Sequence, residues 1–220
     1  MPPESLTQSL DLFVHESRNV ALDDGAMVLR GFAQSLEREL LDCLEVVASD
    51  APLRHMVTPG GWPMSVAMTN CGAVGWVSDR RGYRYDSTDP GSGRHWPEMP
   101  RIFVDLATHA AYAAGFPDFK PDACLINRYE PGARLSLHQD KNEREFDSPI
   151  VSVSLGLGVV FLWGGQKRGD PQRRIPLAHG DVVVWGGPAR MTFHGVLPLA
   201  EGDHPLTGRA RYNLTFRRAT

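Results

Sequence analysis

The chain has 220 residues, a formal net charge of −3, 42% hydrophobic and 22% charged residues. These are the proportions of a globular protein with a core of its own, and they exclude a disordered or fibrous chain. The slight excess of acid argues against a polycation that coats nucleic acid.

Three cysteines, Cys43, Cys71 and Cys124, offer neither a disulfide framework nor a C-x-x-C pair. They read as packing residues in a reducing compartment, and a cytoplasmic location is expected. Met1 to Leu12 has no basic stretch leading into an apolar run, so no secretory leader is expected. No apolar run is long enough to cross a membrane.

The first helix is expected over about 35–49, with Ser35 as N-cap and Leu36, Leu40, Leu44 and Val47 on one face. Residues 52–97 have another texture, rich in Gly, Pro, Met and the aromatics Trp62, Trp76, Tyr83, Tyr85 and Trp96. Met64, Val66 and Met68 alternate with Ser65, Ala67 and Thr69 there, which suggests a strand. The rest reads as turns and short extended pieces, either a loop-rich subdomain or a lid over a substrate. A second helix is expected over about 98–114, with Phe103, Leu106, Ala107, Ala110 and Ala113 or Ala114 as its apolar stripe. Gly115 and Pro117 signal its end.

Beyond it, short strands are expected at 123–129, 134–140, 150–157, 159–163, 173–177, 181–185, 191–196 and 210–217. So many short strands without intervening helices fit a two-sheet jelly roll or related barrel, and the fold class is α+β, mainly β. The expected organisation is a single domain, 1–220, with an N-terminal segment 1–51, the segment 52–97 and a helix-plus-β core 98–220.

In Leu135-Ser136-Leu137-His138-Gln139-Asp140, alternation puts Ser136, His138 and Asp140 on one strand face. An H-x-D pair alone is most often a surface His beside an Asp. His194, in a later strand, supplies a possible third ligand, and two histidines with one carboxylate form the facial triad of non-haem Fe(II) oxygenases. His179-Gly180-Asp181 has the same spacing but lies before an apolar strand, where glycine suggests a turn. His15, His55, His95, His109 and His204 have no partner at ligand spacing and read as surface or packing residues. On the last strand, Arg211, Asn213, Thr215 and Arg217 share a face opposite Tyr212, Leu214 and Phe216. Arginines suit a bidentate grip on carboxylates. Taken alone, however, this strand reads slightly better as an edge strand with a solvated polar face. Asn127 and Tyr129 share a face of an earlier strand.

Together, His138-x-Asp140, His194 and Arg211-Tyr212-Asn213-Leu214-Thr215-Phe216-Arg217 closely resemble the AlkB family of Fe(II)- and 2-oxoglutarate-dependent dioxygenases that dealkylate nucleic-acid bases. The resemblance extends over roughly 26–217. It implies a double-stranded β-helix (jelly-roll) core, with N-terminal helices and residues 52–97 as a loop-rich nucleotide-recognition lid. It implies that His138, Asp140 and His194 hold Fe(II). Arg211 and Arg217 would pair the carboxylates of 2-oxoglutarate, with hydrogen bonds from Asn127, Tyr129 and Asn213. Trp76 and Tyr83 would lie near the target base and Tyr85 near the strand backbone, with Trp76 and a facing ring such as His138 sandwiching the base. The implied reaction consumes O₂ and 2-oxoglutarate, hydroxylates an N-methyl group and releases formaldehyde, succinate and CO₂. Its substrates would be 1-methyladenine and 3-methylcytosine in DNA, single strands favoured, with RNA as a further substrate. The protein would act as a monomer without a membrane.

One position departs from the family pattern. The residue two after the metal aspartate is often acidic, and here it is Asn142. An amide brings no charge, so the order of lesions is expected to shift unless Glu143 compensates. Lys167, Arg168, Arg173 and Arg174, against Asp170, and the cluster Arg80, Arg81 and Arg84 offer local phosphate contacts, with Arg168 the named candidate. A second reading keeps the iron chemistry but places a tRNA base, a protein side chain or a small molecule under the lid. A third, a non-catalytic jelly-roll binding module, would leave the three ligands and both arginines without purpose.

Overall fold

A computed structural model describes residues 19–220. His15 and the Met1–Leu12 segment lie outside the described residues. Fourteen strands and two α-helices succeed one another: β1 Val20–Asp23, β2 Ala26–Leu29, α1 Glu37–Asp50, β3 Arg54–Val57, β4 Pro63–Gly72, β5 Gly75–Asp79, β6 Gly82–Asp86, α2 Arg101–Ala113, β7 Ala123–Tyr129, β8 Leu135–His138, β9 Ile150–Gly156, β10 Val159–Trp163, β11 Arg173–Leu177, β12 Val182–Trp185, β13 His194–Val196 and β14 Arg211–Arg217.

They form an eight-stranded sheet in the order β1-β2-β12-β9-β14-β7-β4-β3 and a four-stranded sheet β11-β10-β13-β8, with β5-β6 as a separate hairpin. All these pairings are antiparallel. The fold is mainly β, with two sheets facing each other as in the expected jelly roll. Alternation along the large sheet feeds two cores. Leu214, Phe216, Val151, Val153 and Ile126 pack against α1 and α2, which contribute Leu40, Leu44, Phe103 and Leu106. Val66, Met68, Leu125, Val183 and Trp185 face the small sheet, where Phe161 and Trp163 meet them. The site lies between the two sheets, at the end of this second core.

Several expectations change. Ser35 does not cap α1; it sits in a 3-10 turn over Gln34–Leu36, and Leu36 holds the cap position with no side-chain bond. The second helix starts at Arg101 behind Pro100, and Ala111 replaces Ala113 in its buried stripe. Gly115 ends it at φ +91°, a left-handed conformation that glycine adopts without strain. Residues 52–97 carry four strands joined by turns and loops, and two of these strands extend the large sheet. Strand β14 is not an edge. It lies between β9 and β7, and its polar face is buried, with Arg211 only 2% and Arg217 6% exposed. Asp140 lies two residues past the end of β8. The His179-Gly180-Asp181 segment is the expected turn: Gly180 has φ +83°, and Asp181 accepts from Arg30, Gly31 N–H and Ala178 N–H.

Candidate functional site

Strand β13 pairs with β8 so that His194 lies directly opposite His138. Their ring centroids are 4.4 Å apart. His138 Nδ1 lies 2.9 Å from Ser136 O, and His194 Nδ1 lies 3.0 Å from Thr192 O. A carbonyl only accepts, so each Nδ1 donates and each Nε2 keeps its lone pair for a metal. Asp140 Oδ1 is 3.6 Å from His138 Nε2 and Asp140 Oδ2 is 3.9 Å from His194 Nε2. One ligand atom from each of the three lies within 4.8 Å of the others. Two atoms held about 2.1 Å from one ion at a right angle would be about 3 Å apart, so the three need only a small contraction around an ion.

The electrostatics suit a cation. Burial would raise the Asp140 carboxyl, but Arg217, His194 and His138 outweigh it and hold the group well below the usual carboxylate range. Burial, and then the neighbouring His138, push His194 down to about 4, so its imidazole is neutral at physiological pH.

The floor of the site comes from the centre of the large sheet. Arg217 Nε and Nη2 both donate to Asp140 Oδ2, at 3.0 and 2.7 Å. Arg217 is therefore committed first to a proposed metal ligand, not to a free cosubstrate. Arg211 differs. Its Nη2 donates to Ser154 Oγ at 3.0 Å and its guanidinium lies 4.9 Å over the Tyr129 ring, but its buried Nε and Nη1 have no partner among the described residues. Unpaired guanidinium nitrogens in a buried cavity fit a carboxylate.

Asn213 is fully engaged. Its Nδ2 donates to Ser152 Oγ and Val153 O, and its Oδ1 accepts from Asn127 and Thr215. It has no donor left for a cosubstrate and acts by fixing Asn127, whose buried Oδ1 is unpaired. Ser152, Ser154 and Arg190 are site residues that the sequence reading missed. The two serines alternate with Val151, Val153 and Leu155 in β9, and that polar–apolar alternation was the available signal.

A cavity of about 850 Å³ joins this floor to the β5–β6 hairpin, which walls it with Trp76 and Tyr83. The hairpin is tied down through Asn70, which exchanges two hydrogen bonds with the Trp76 backbone at 2.9 and 3.0 Å. Tyr83 stacks on Trp76, centroids 5.6 Å apart and planes 15° apart, so it backs the indole. His138 also lines the cavity, but its ring neighbour is His194. Tyr85 corrects its expectation. Its hydroxyl donates to buried Glu143 Oε1 at 2.7 Å and so is not presented to a strand backbone. Arg190 and Arg217 pair with this enclosed carboxylate at 3.2 and 3.3 Å, while its Oε2 has no hydrogen-bond partner among the described residues.

Asn142 lines the cavity and accepts from Trp76 Nε1 at 3.2 Å. Arg168 lines its mouth, donating to Leu137 O and lying 5.1 Å over the Phe193 ring. Arg81 and Arg84 are paired with Asp79, whereas Arg80 makes no ion pair among the described residues. The three cysteines are free, Cys71 and Cys124 being buried.

The family description "2OG-Fe(II) oxygenase superfamily" matches residues 25–217. The chain is 57% identical over 211 residues to the Alpha-ketoglutarate-dependent dioxygenase AlkB of Escherichia coli (strain K12), covering 96% of this chain and 98% of that protein. It is 33% identical over 95 residues to the human Nucleic acid dioxygenase ALKBH1, covering 43% of this chain and 24% of that protein. A solved structure titled "The structure of OsALKBH1" superposes with TM-score 0.74 at 28% identity, covering 91% of this chain and all of that one.

Proposed function

The chain belongs to the 2OG-Fe(II) oxygenase superfamily and, within it, to the AlkB family of dioxygenases, and from that membership we propose that it demethylates N-alkylated bases of nucleic acids. Fe(II), 2-oxoglutarate and O₂ are the cofactor and cosubstrates of this enzyme class. When bound, they supply the oxidation of an N-methyl group to a hydroxymethyl group, from which formaldehyde leaves, with succinate and CO₂ as coproducts. Bases such as 1-methyladenine and 3-methylcytosine in DNA, and in RNA, are the proposed substrates. The name of the human relative, a nucleic acid dioxygenase, supports that class.

In this reading His138, Asp140 and His194 hold the iron through two neutral Nε2 atoms and one carboxylate. Arg217 keeps Asp140 ionised and oriented. Arg211 receives one carboxylate of 2-oxoglutarate on an unpaired guanidinium nitrogen, and Asn127 and Tyr129 flank it. Asn213 orders this layer from behind. Trp76, backed by Tyr83, offers a flat face to a base turned out of its stack. Single strands are favoured because turning a base out costs least there. Residues 52–97 act as the nucleotide-recognition lid on one catalytic domain, and the protein works as a monomer in the cytoplasm. Among the described residues no helix is long and apolar enough to cross a membrane.

The observation that carries the proposal is the conjunction of the three ligand residues with a buried arginine whose N–H groups lack partners. Anaerobic addition of Fe(II) and 2-oxoglutarate is expected to give a weak visible charge-transfer band. Admission of O₂ with a methylated oligonucleotide is then expected to release formaldehyde. A band without formaldehyde from any methylated DNA or RNA would keep the cosubstrate chemistry and remove the bases as substrates.

A further inference from the structure

Asp140 stands near the head of a segment without helix or strand, residues 139–149, which joins β8 to β9. A metal ligand on such a segment has no strand pairing to fix its backbone, so side chains must hold it in place. One buried arginine does so. The guanidinium of Arg190, 4% exposed, directs each of its three nitrogens to a different residue of the segment. Nη1 donates to Asp140 O at 2.8 Å, Nε donates to Ser148 O at 3.3 Å, and Nη2 forms an ion pair with Glu143 Oε2 at 3.2 Å. The same group lies 5.2 Å over the ring of Phe146, also in the segment.

Arg190 belongs to the other half of the ligand set. It follows the 3-10 turn Gly187–Ala189, and the chain then runs on to β13, whose first residue is His194. Thr192 lies between them. Its N–H donates to Ala189 O, and its carbonyl accepts from His194 Nδ1 at 3.0 Å. Gln139 closes the same joint from the opposite side, donating to Met191 O at 2.5 Å. The segment that carries Asp140 is thus fastened to the stretch that orients His194. Arg217 grips the Asp140 carboxylate from β14, and Arg190 holds the peptide behind it.

We infer that Arg190 is a positioning residue of the iron site, setting the Asp140 backbone against the turn that orients His194 so that carboxylate and imidazole reach one ion. The position calls for a guanidinium. Acceptors on three separate residues suit the fork of an arginine, whereas an ammonium is a single point of charge. Glu143 supplies the opposite charge that a buried arginine needs. The inference rests on the reading of His138, Asp140 and His194 as the iron ligands and adds the residue that brings two of them together.

The test is the affinity of the metal-free protein for Co(II), read from the visible absorption of the bound ion with 2-oxoglutarate present and no oligonucleotide. His194→Ala identifies the site and is expected to abolish the parent band. Arg190→Met keeps the bulk and removes every donor, and is expected to weaken Co(II) binding about tenfold and shift the band. Arg190→Lys keeps a charge beside Glu143 but cannot reach all three partners, and is expected to weaken it about threefold. Gln139→Ala is also expected to cost about threefold. A merely structural arginine would lower the melting temperature and leave Co(II) affinity and spectrum at the parent values. Those parent values in both Arg190 variants, with the band lost in His194→Ala, would overturn the role of Arg190 and leave the ligand set standing. If Arg190→Met does not fold, Arg190→Lys and Gln139→Ala decide the matter by the same measure. Parent affinity in His194→Ala would remove the ligand set and this inference with it.

Discussion

The floor and the wall of the cavity are built on opposite principles. The floor, on β14 and its neighbours β7 and β9, lies in the middle of an eight-stranded sheet, and its polar groups are buried and bonded to one another. The wall is a two-stranded hairpin whose cavity-facing rings are partly exposed, with Tyr83 at 45%. A two-stranded hairpin is marginal on its own, and this one is held by a few side-chain bonds: Asn70 to Trp76, Ser78 to Val57 O, Tyr85 to Glu143. Arg211 and Arg217, the second of which holds Asp140, sit on the rigid floor, facing the ligand residues of β8 and β13. Recognition, which must admit and release a bulky base, sits on the element that needs little energy to shift.

Substitutions should separate the two regions. The largest effect is expected at the metal-side carboxylate. Asp140→Ala removes a proposed ligand and leaves the buried Arg217 with Glu143 as its remaining carboxylate, and should lower kcat for demethylation at least a hundredfold. Metal content measured on the purified variant should fall with it. Next comes the cosubstrate cradle. Arg211→Met should raise the KM for 2-oxoglutarate roughly 10- to 100-fold, while anaerobic oligonucleotide affinity stays at the parent value. If both constants moved together, floor and wall would not be separable.

The wall should give smaller effects of the reverse kind. Asn70→Ala breaks two neutral hydrogen bonds to the Trp76 backbone and should lower kcat/KM for a methylated oligonucleotide by roughly tenfold, with 2-oxoglutarate affinity unchanged. Arg168→Ala at the mouth should weaken oligonucleotide binding only about threefold and reduce its salt slope by about 0.7. An unaltered affinity at low salt would remove Arg168 from the binding surface.

The two regions also differed in how far the sequence disclosed them. Strands β7, β10 and β11 have the bounds expected from their alternating residues and flanking turn signals. The sharing of one face by Arg211, Asn213, Thr215 and Arg217 was equally legible, because alternation is local. That this face is interior was not, since centrality depends on pairings with β7 and β9 contributed by distant parts of the chain. The unpaired N–H groups of Arg211 and the full engagement of Asn213 likewise exist only in the assembled layer.

In the wall, the two-residue connection at Arg80-Arg81 before Gly82, at φ +115°, was a hairpin signal hidden in a Gly- and Pro-rich stretch. The Asp24-Gly25 turn between β1 and β2 was a plainer one, with Gly25 at φ +77°. The side chain of Tyr85 could not be placed from its spacing to Tyr83. Its direction is set by a carboxylate 58 positions away.

The most direct test of the account is a single stoichiometry. With Fe(II), O₂ and limiting 2-oxoglutarate, succinate and formaldehyde are measured together on a methylated single-stranded oligonucleotide and on its unmethylated copy. One formaldehyde per succinate is expected on the methylated strand and only slow succinate release without formaldehyde on the copy. Succinate formed at the same rate on both strands, with no formaldehyde on either, would contradict it.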